Sequence, residues 1–464
     1  MTLKYKSQAV ARPYFVAAIV LFTIQILFGL ILGLQYVVGD FLFPELPFNI
    51  ARMVHTNTMI FWIMFGFMGA AYYMIPEEAE TELLAPWLAW LIFWLFLFTI
   101  LATIASYLFV PYARLVELTH DARLPSTMGR EYMEQPTIAK LAISILSVLF
   151  LINIWGTTLK GRKTSINGLM LFGLFSSTLL FTLSFYNPTN LVLNKFYWWW
   201  TVHFWFEGTW AITMLAMLGF VFIRITGIDR DIIEKWLYMI ATMIIVTASI
   251  SIGRHYYWIG TPQYWQWWGS AFSLLQFIPL LMLASFGFNM IRNRQYEHPN
   301  KAALLWAIGS IMVSLLGAGF LGLLHKLAPI NYYSHGTQID VAYNHIAIYG
   351  AYAMTNLMMI SYAMPIIRGQ KTNSDKAQSL EMWSFWLMTI SMTFMTVSLV
   401  IAGVLQIYRQ RYTSIPQPFM AVQEHISFFY WLREFFGIIF LVGFMVYLYS
   451  IFIKPRICKN KDQS

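Results

Sequence analysis

Apolar segments long enough to cross a membrane recur along the whole chain, and they leave few alternatives for its fold. A helix rises about 1.5 Å per residue, so roughly twenty apolar residues span a hydrocarbon core of about 30 Å. Only 11% of the 464 residues are charged, whereas about a quarter are charged in soluble domains. We count twelve such segments, at 13–38, 52–76, 85–110, 137–159, 166–186, 196–223, 232–252, 268–291, 302–325, 335–366, 381–407 and 425–453. The sequence therefore predicts an all-α membrane protein in which residues 1–464 form one polytopic domain.

Lysine and arginine are concentrated on one side of the predicted bundle. Most of the 30 Lys and Arg residues lie in the segments of that side, which include both chain ends. By the positive-inside rule this side faces the cytoplasm. We therefore expect a multi-pass protein of a bacterial inner membrane with both termini in the cytoplasm, including a tail at 454–464. The net charge of +9 follows from this topology and gives no reason to expect nucleic-acid binding.

The connections between the segments are short except for one outer loop at 111–136. A loop of that length in a compact membrane protein usually has a function. The chain has no pair of Gly- or Pro-interrupted segments at matching positions, which disfavours a secondary transporter. Its one cysteine, Cys458 in the tail, excludes a disulfide framework and a cysteine-rich metal site.

Two histidines, His55 and His345, lie in apolar segments that are far apart in the chain. Neutral imidazole is a common axial ligand of haem iron, and two facing helices of a bundle can supply one ligand each. The pair is thus a candidate site for a b-type haem. The alternative is that both are core histidines held by hydrogen bonds.

A second candidate site combines His203, Glu207 and His255. Residues 203 and 207 stand four apart, so they share one helix face and can bind one metal ion. A buried carboxylate within a membrane segment is costly unless it has a partner. With His255 the three form a two-histidine, one-carboxylate set that suits non-haem iron. The alternative is a Glu207 that is hydrogen-bonded to His203 without a metal.

Five motifs occur in an order that is typical of one family. They are HTNTMIFWIMFGFMGAAYYMIPEE, GREYMEQP, WWWTVHFWFEGTW, HYYWIG, and HGTQ followed by NHIAIYGAY. Together they resemble the large subunit of cytochrome c-dependent nitric oxide reductase, in the haem-copper oxidase superfamily. The resemblance implies a subunit I-like bundle of twelve helices, a low-spin haem b, and a high-spin haem facing a non-haem iron. It also implies a small membrane-anchored cytochrome c subunit as partner. The family reaction converts two NO, two electrons and two protons to N2O and water.

The resemblance implies a role for each residue that matches a motif. His55 and His345 correspond to the axial ligands of the low-spin haem b. The residues that correspond to ligands of the non-haem iron are His203, Glu207 and His255. Glu131 in the outer loop corresponds to a ligand of a calcium ion, and hard cations do prefer carboxylate oxygen.

Four positions depart from the family pattern, and all of them belong to the expected dinuclear site. Arg254 stands where a histidine precedes His255, and Tyr343 stands where the proximal ligand of the second haem is expected. Ala211 and Gln276 replace two acidic residues. Arg254 has no lone pair to donate to a metal, but it can pair with Glu207 in place of the missing metal charge.

Three hypotheses for function follow. In the first, the chain is a divergent nitric oxide reductase subunit in which Tyr343 ligates the second haem and Glu207, Arg254 and Tyr343 form a remodelled catalytic site. In the second, it keeps only the haem b at His55 and His345 and serves in electron transfer, in sensing of NO, or as a pseudo-subunit. The third, a terminal oxidase, is weaker because no trio of copper-ligating histidines is present.

Overall fold

The structure is a computed structural model that describes residues 3–452 apart from 112–113, 115–116, 119 and 121–129. Within these residues, eleven helices are long and apolar enough to cross a membrane. They are α1 (Lys6–Val37), α2 (Phe48–Ala79), α3 (Pro86–Phe109), α4 (Thr137–Lys160), α5 (Ser165–Phe185), α6 (Leu191–Thr226), α7 (Arg230–Tyr256), α8 (Tyr264–Arg292), α9 (Lys301–Lys326), α11 (Asp375–Tyr412) and α12 (Ser427–Phe452).

The remaining long helix, α10, consists of three consecutive segments, Gln338–Ile348, Tyr349–Ala353 and Met354–Ile367. It is less apolar than the others because tyrosine, asparagine and serine side chains lower its mean hydropathy. The prediction of about twelve membrane helices is thus confirmed for the described part of the chain. The predicted cytoplasmic tail with Cys458 and much of the outer loop at 111–136 lie outside the described residues.

Short polar residues begin many of these helices, as expected for N-caps. At six helix starts a side-chain oxygen accepts a hydrogen bond from a backbone N–H two or three residues later: Thr164, Asn190, Asp229, Asn300, Thr337 and Ser374. At the end of α6, Gly227 adopts a left-handed conformation with φ of 70°, which glycine permits without strain. These local signals fix the ends of α5, α6, α7, α9, α10 and α11.

Helices α2 and α6 form the centre of the bundle. In their most apolar stretches 94% and 83% of the residues are buried, compared with 33% in α8 and α12. The outer helices expose large apolar side chains such as Trp94 and Phe98 of α3, which is the surface that lipid requires. The central helices are therefore the ones that can hold a cofactor away from lipid.

Four turns of π-helix interrupt the described helices, and three of them adjoin candidate site residues. They are Phe204–Trp210 in α6, Leu315–Leu321 in α9 and Tyr349–Ala353 in α10. The last residues of α7, Ser251–Tyr256, form a 3-10 turn. Such irregular turns occur often at functional sites because they turn side chains out of the regular helical order.

Candidate haem and metal sites

His55 of α2 and His345 of α10 face each other. Their ring centroids are 6.1 Å apart, and the ring planes differ by 27°. The Nδ1 atom of His55 lies 2.8 Å from the carbonyl oxygen of Gln25, and that of His345 lies 2.7 Å from the carbonyl oxygen of Val341. Because a carbonyl only accepts, each Nδ1 carries the proton and each Nε2 keeps its lone pair.

This geometry fits one iron atom held between the two rings. Imidazoles that bind a metal from opposite sides, each through a nitrogen about 2 Å from it, have centroids about 6 Å apart. Helix α1 packs closely on the pair, since a Cβ atom at Gly29 would lie 3.0 Å from Cε1 of His55. The residues present therefore fit the bis-histidine haem that the resemblance implies, with α1 holding the His55 ring in place.

His203, Glu207 and His255 also come together, at the junction of α6 and the end of α7. One ligand atom of each lies within 4.8 Å of the others. Nδ1 of His203 is 3.2 Å from Nε2 of His255 and 3.8 Å from Oε2 of Glu207. Nε2 of His203 is 2.8 Å from the carbonyl oxygen of Ala248, which fixes the proton on that nitrogen. Distances alone would allow a metal ion here.

The carboxylate of Glu207 is already bound by three other side chains. The guanidinium of Arg254 contacts Oε1, Lys326 Nζ lies 3.5 Å from Oε2, and Gln276 Nε2 donates to Oε2 at 2.7 Å. Gln276 Oε1 in turn accepts from Arg254 at 2.7 Å and from Lys326 at 3.0 Å. We call these four residues, Glu207, Arg254, Gln276 and Lys326, the Glu207 cluster.

The pairing of Arg254 with Glu207 was predicted from the sequence, but Lys326 was not. Lys326 is the last residue of α9, where lysine usually extends to the membrane surface. Here its side chain turns inward and is only 4% exposed. No local sequence signal distinguishes the two orientations, because the inward one depends on Gln276 of α8 and Glu207 of α6.

The Glu207 cluster does not fit a non-haem iron. An Fe²⁺ bound by Glu207 would lie beside the guanidinium of Arg254 and the ammonium of Lys326, and both would repel it. Arg254 cannot lose its proton to relieve the repulsion. The spacing of the donor atoms thus allows a metal ion, but the two positive charges beside them oppose it. The charges decide, because the one carboxylate of the set already pairs with Arg254.

Tyr343, the expected replacement for a proximal haem ligand, faces the same region. Lys326 Nζ lies 5.8 Å from the centre of the Tyr343 ring, and the ring of His325 is also 5.8 Å away. One ammonium group therefore reaches both Tyr343 and Glu207, which should lie on opposite faces of a second haem. Placing a charged ammonium against an apolar macrocycle is costly, so these residues do not fit a haem there.

A cavity of about 660 Å³ adjoins the Glu207 cluster. Its walls are mainly aromatic and aliphatic, and they include Trp199, Phe206 and Tyr352. The cavity lies within the usual size range of pockets for organic ligands, about 300 to 1,000 Å³. The residues where the sequence predicted the dinuclear site, including His203, Glu207 and Tyr343, are part of its lining.

Glu131, the expected calcium ligand, forms an ion pair with Arg52 of α2. Its backbone carbonyl accepts from Trp198 Nε1 at 3.0 Å. Within the described residues, Glu131 belongs to no group of three His, Cys or acidic side chains with metal-binding spacing. Its role in binding calcium therefore stays a prediction.

Glu134, three residues beyond Glu131, is an acidic residue that the sequence analysis did not single out. Its side chain is buried outside the membrane helices, and it accepts one hydrogen bond, from Asn57 Nδ2 at 2.9 Å. Its other oxygen, Oε1, has no partner among the described residues. Burial raises the pKa of Glu134 to about 7, although the bond from Asn57 opposes the shift.

This pKa leads to a prediction for stability. A carboxyl group with a raised pKa keeps its proton longer in the folded state, so stability falls as pH rises from about 4.5 to 7 and stays lower above that range. We expect Glu134→Gln to raise the free energy of unfolding at pH 8 by roughly 3 kcal/mol, at about 1.4 kcal/mol per pH unit, and to change it little below pH 4.5.

Thermal unfolding of both proteins in detergent at several pH values checks this. The control is Glu82→Gln, since hydrogen bonds from Ser7 and Lys6 outweigh partial burial and lower the pKa of Glu82. Loss of the Glu82 carboxylate should therefore destabilise the protein at high pH. A stability difference for Glu134→Gln that does not depend on pH would contradict the prediction.

Comparison with known proteins gives the family of the chain. A family model described as Cytochrome C and Quinol oxidase polypeptide I matches residues 9–439. A nitric oxide reductase subunit of Stutzerimonas stutzeri is 54% identical over 458 residues, which are 98% of this chain and 96% of that protein. A cytochrome c oxidase subunit 1 homolog of Agrobacterium tumefaciens is 23% identical over 459 residues, which cover 92% and 79% of the two chains.

The fold agrees as well. A heme-copper terminal oxidase dimer solved by cryo-EM has a chain that matches with a TM-score of 0.72 at 12% identity, covering 97% of this chain and 85% of that one. At that identity the likeness shows the fold alone. The family within this fold is shown by the much higher identity to the Stutzerimonas protein. This multi-pass membrane protein therefore belongs to the same nitric oxide reductase subunit family as the Stutzerimonas protein, within the haem-copper oxidase fold.

Proposed function

We propose that this chain is a membrane electron-transfer subunit that carries one haem b at His55 and His345 and does not reduce NO at a dinuclear centre. The observation that carries the proposal is the Glu207 cluster, in which Arg254 and Lys326 provide positive charge beside the carboxylate expected to hold iron. The haem b pair, by contrast, keeps the spacing and hydrogen bonds that an axial pair needs. Haem b supplies reversible one-electron transfer when it is bound.

The proton requirements of NO reduction support the same conclusion. The family reaction consumes protons, and carboxylates near the site are suitable carriers. Ala211 has no titratable group, and the amide of Gln276 does not exchange protons at neutral pH. In this chain Gln276 instead bridges Arg254, Lys326 and Glu207 as acceptor and donor. These residues orient one another. Each carboxylate that lines the cavity is held in an ion pair, Glu207 with Arg254, Asp340 with His325 and Glu131 with Arg52.

In the proposed setting, the chain lies in a bacterial inner membrane with both termini in the cytoplasm. A small membrane-anchored cytochrome c subunit on the outer side exchanges electrons with haem b. Sensing of NO, or pairing with an intact relative as a pseudo-subunit, would use the same single haem. Both roles predict the same cofactor content, one haem b per chain.

The competing proposal is a divergent nitric oxide reductase with a second haem on Tyr343 and iron on His203, Glu207 and His255. Its support is the spacing of those three ligand atoms and the 660 Å³ cavity beside them. It requires that iron displace Arg254 from Glu207. The two proposals differ in cofactor content, so one measurement separates them.

We expect the purified chain, with its cytochrome c partner, to contain one haem b and no non-haem iron per chain, after correction for haem c. Pyridine haemochrome spectra and elemental iron analysis give both values, and an NO electrode should show no NO consumption with reduced cytochrome c. The Stutzerimonas protein, prepared in parallel, checks that the procedure retains cofactors and that the assay works. Two haems b with one further iron would refute the proposal in favour of its competitor.

A further inference from the structure

The Glu207 cluster contains two cations and one carboxylate, and all four of its residues line the large cavity. Arg254 contacts Glu207 directly, whereas Lys326 Nζ is 3.5 Å from the same carboxylate. One positive charge therefore lacks a full partner in the membrane interior, where an uncompensated charge is costly. We propose that Lys326, supported by Arg254, binds a monovalent anion in this cavity. This inference rests on the proposed function, because it requires a site without iron.

Other carboxylates on the cavity wall cannot supply the missing charge, because each already has its own partner. Asp340 forms an ion pair with His325, and its Oδ2 accepts the backbone N–H of Gly336 at 2.6 Å. Glu131 pairs with Arg52. Lys195 on the same wall lies over the Trp198 ring, with Nζ 4.1 Å from the ring centroid. The described residues around the cavity thus favour a negative ligand.

The ammonium group of Lys326 also has an N–H donor for a ligand. An ammonium group has three N–H donors. One is directed to Gln276 Oε1 at 3.0 Å, and a second points to Glu207 Oε2 at the longer distance of 3.5 Å. A third remains for a ligand in the cavity. The aromatic neighbour Tyr343, 5.8 Å from Nζ, accepts the cation through its ring face without using that donor.

Two kinds of negatively charged ligand fit the cavity. The space beside Lys326 would take a small inorganic anion such as nitrite or azide. The apolar walls of the cavity and its volume of about 660 Å³ also accommodate the body of an amphiphile whose carboxylate reaches Lys326. In both cases the recognised group is one negative charge that accepts a hydrogen bond from Nζ.

Azide is a suitable probe because its infrared stretching band differs between free, hydrogen-bonded and metal-bound ions. The experiment uses the full chain with its partner subunit, and it follows azide binding in the wild type and in Lys326→Met. We expect a saturable bound band in the wild type and an affinity lower by at least about tenfold in the variant. Lys195→Met, which removes a lysine from the same cavity wall, is the matched control and should keep binding within about threefold.

A second variant tests the charge rather than the side chain. Gln276→Glu places a carboxylate within reach of Lys326 and should weaken azide binding as strongly as Lys326→Met, although Lys326 is still present. Equal azide affinity in the wild type and in both variants would overturn the inference. Absence of any bound azide or octanoate in the wild type would overturn it too.

Competition with octanoate distinguishes the two kinds of ligand. Displacement of azide by low concentrations of octanoate indicates an amphiphile, whereas azide binding that octanoate leaves unchanged indicates an inorganic anion. Iron analysis of the same samples separates this inference from the proposed function. Iron in the samples, with an azide band typical of metal ligation, would refute both, while iron-free protein that binds no anion would refute the inference alone.

Discussion

Replacing either His55 or His345 with alanine is expected to remove haem b from the purified chain almost completely. Each side chain supplies one of two axial ligands, and each Nδ1 is already bound to a backbone carbonyl. Loss of a residue that merely orients a metal ligand costs about 10- to 100-fold in affinity, so loss of the ligand itself should cost at least as much. The haem b content and the reduced-minus-oxidised absorbance should therefore fall by at least about tenfold.

Two controls make this result specific. His203→Ala removes a buried histidine from the neighbouring site and should leave haem b in place, since His203 bonds to His255 and Ala248 instead. His298→Ala changes a partly buried histidine in the connection between α8 and α9 and should have no effect. Haem b that survives in both His55→Ala and His345→Ala, or that is lost in His203→Ala, would contradict the assignment of the axial pair.

The helices could be predicted from the sequence because membrane length and hydropathy are local properties. Even α10, whose mean hydropathy is lower, was found from its apolar run. The contact between His55 and His345 was also expected, since the motifs around both residues match one family. What hydropathy could not supply were the π-helical turns, such as Phe204–Trp210 around Glu207. These turns depend on packing between helices and have no periodic signal.

The charge balance of the candidate metal site was only half predictable. The substitution of Arg254 indicated a guanidinium beside Glu207, because the family pattern places both at one site. Lys326 was missed, since a lysine at a helix end ordinarily extends to the interface. Similarly, Gln276 was recognised as a lost acid but not as the group that bridges both cations. Such contacts join α6, α7, α8 and α9, so they become visible only in three dimensions.

Replacing Glu207 with glutamine is expected to destabilise the fold strongly. The substitution keeps the shape of the side chain but removes the charge that Arg254 contacts and Lys326 approaches. The side chains of Arg254 and Lys326 are 7% and 5% exposed, so they have little contact with bulk water in place of the carboxylate. Removing one partner of a buried ion pair costs about 3–5 kcal/mol, because the remaining charge stays buried without compensation. We expect a loss of that size in the free energy of unfolding.

The experiment follows unfolding in mixed detergent micelles by tryptophan fluorescence. Its control is the exposed pair Arg294 and Glu297, whose N and O atoms are 3.3 Å apart and whose glutamate side chain is 73% exposed. Glu297→Gln should cost no more than about 1 kcal/mol, as exposed ion pairs do. If Glu207→Gln costs as little as Glu297→Gln, the cluster does not hold its charges in the way described.

Removing the charge of Lys326 as well should restore part of the stability that Glu207→Gln loses. Glu207→Gln leaves two cations without a carboxylate, so adding Lys326→Met removes one of the uncompensated charges, and the double variant should be more stable than Glu207→Gln alone. Lys326→Met by itself should cost little, since Arg254 and Glu207 still pair. A coupling of this sign is expected where the carboxylate pairs with both cations. If the carboxylate were an iron ligand, removing Lys326 would stabilise the metal form and would raise its iron content instead.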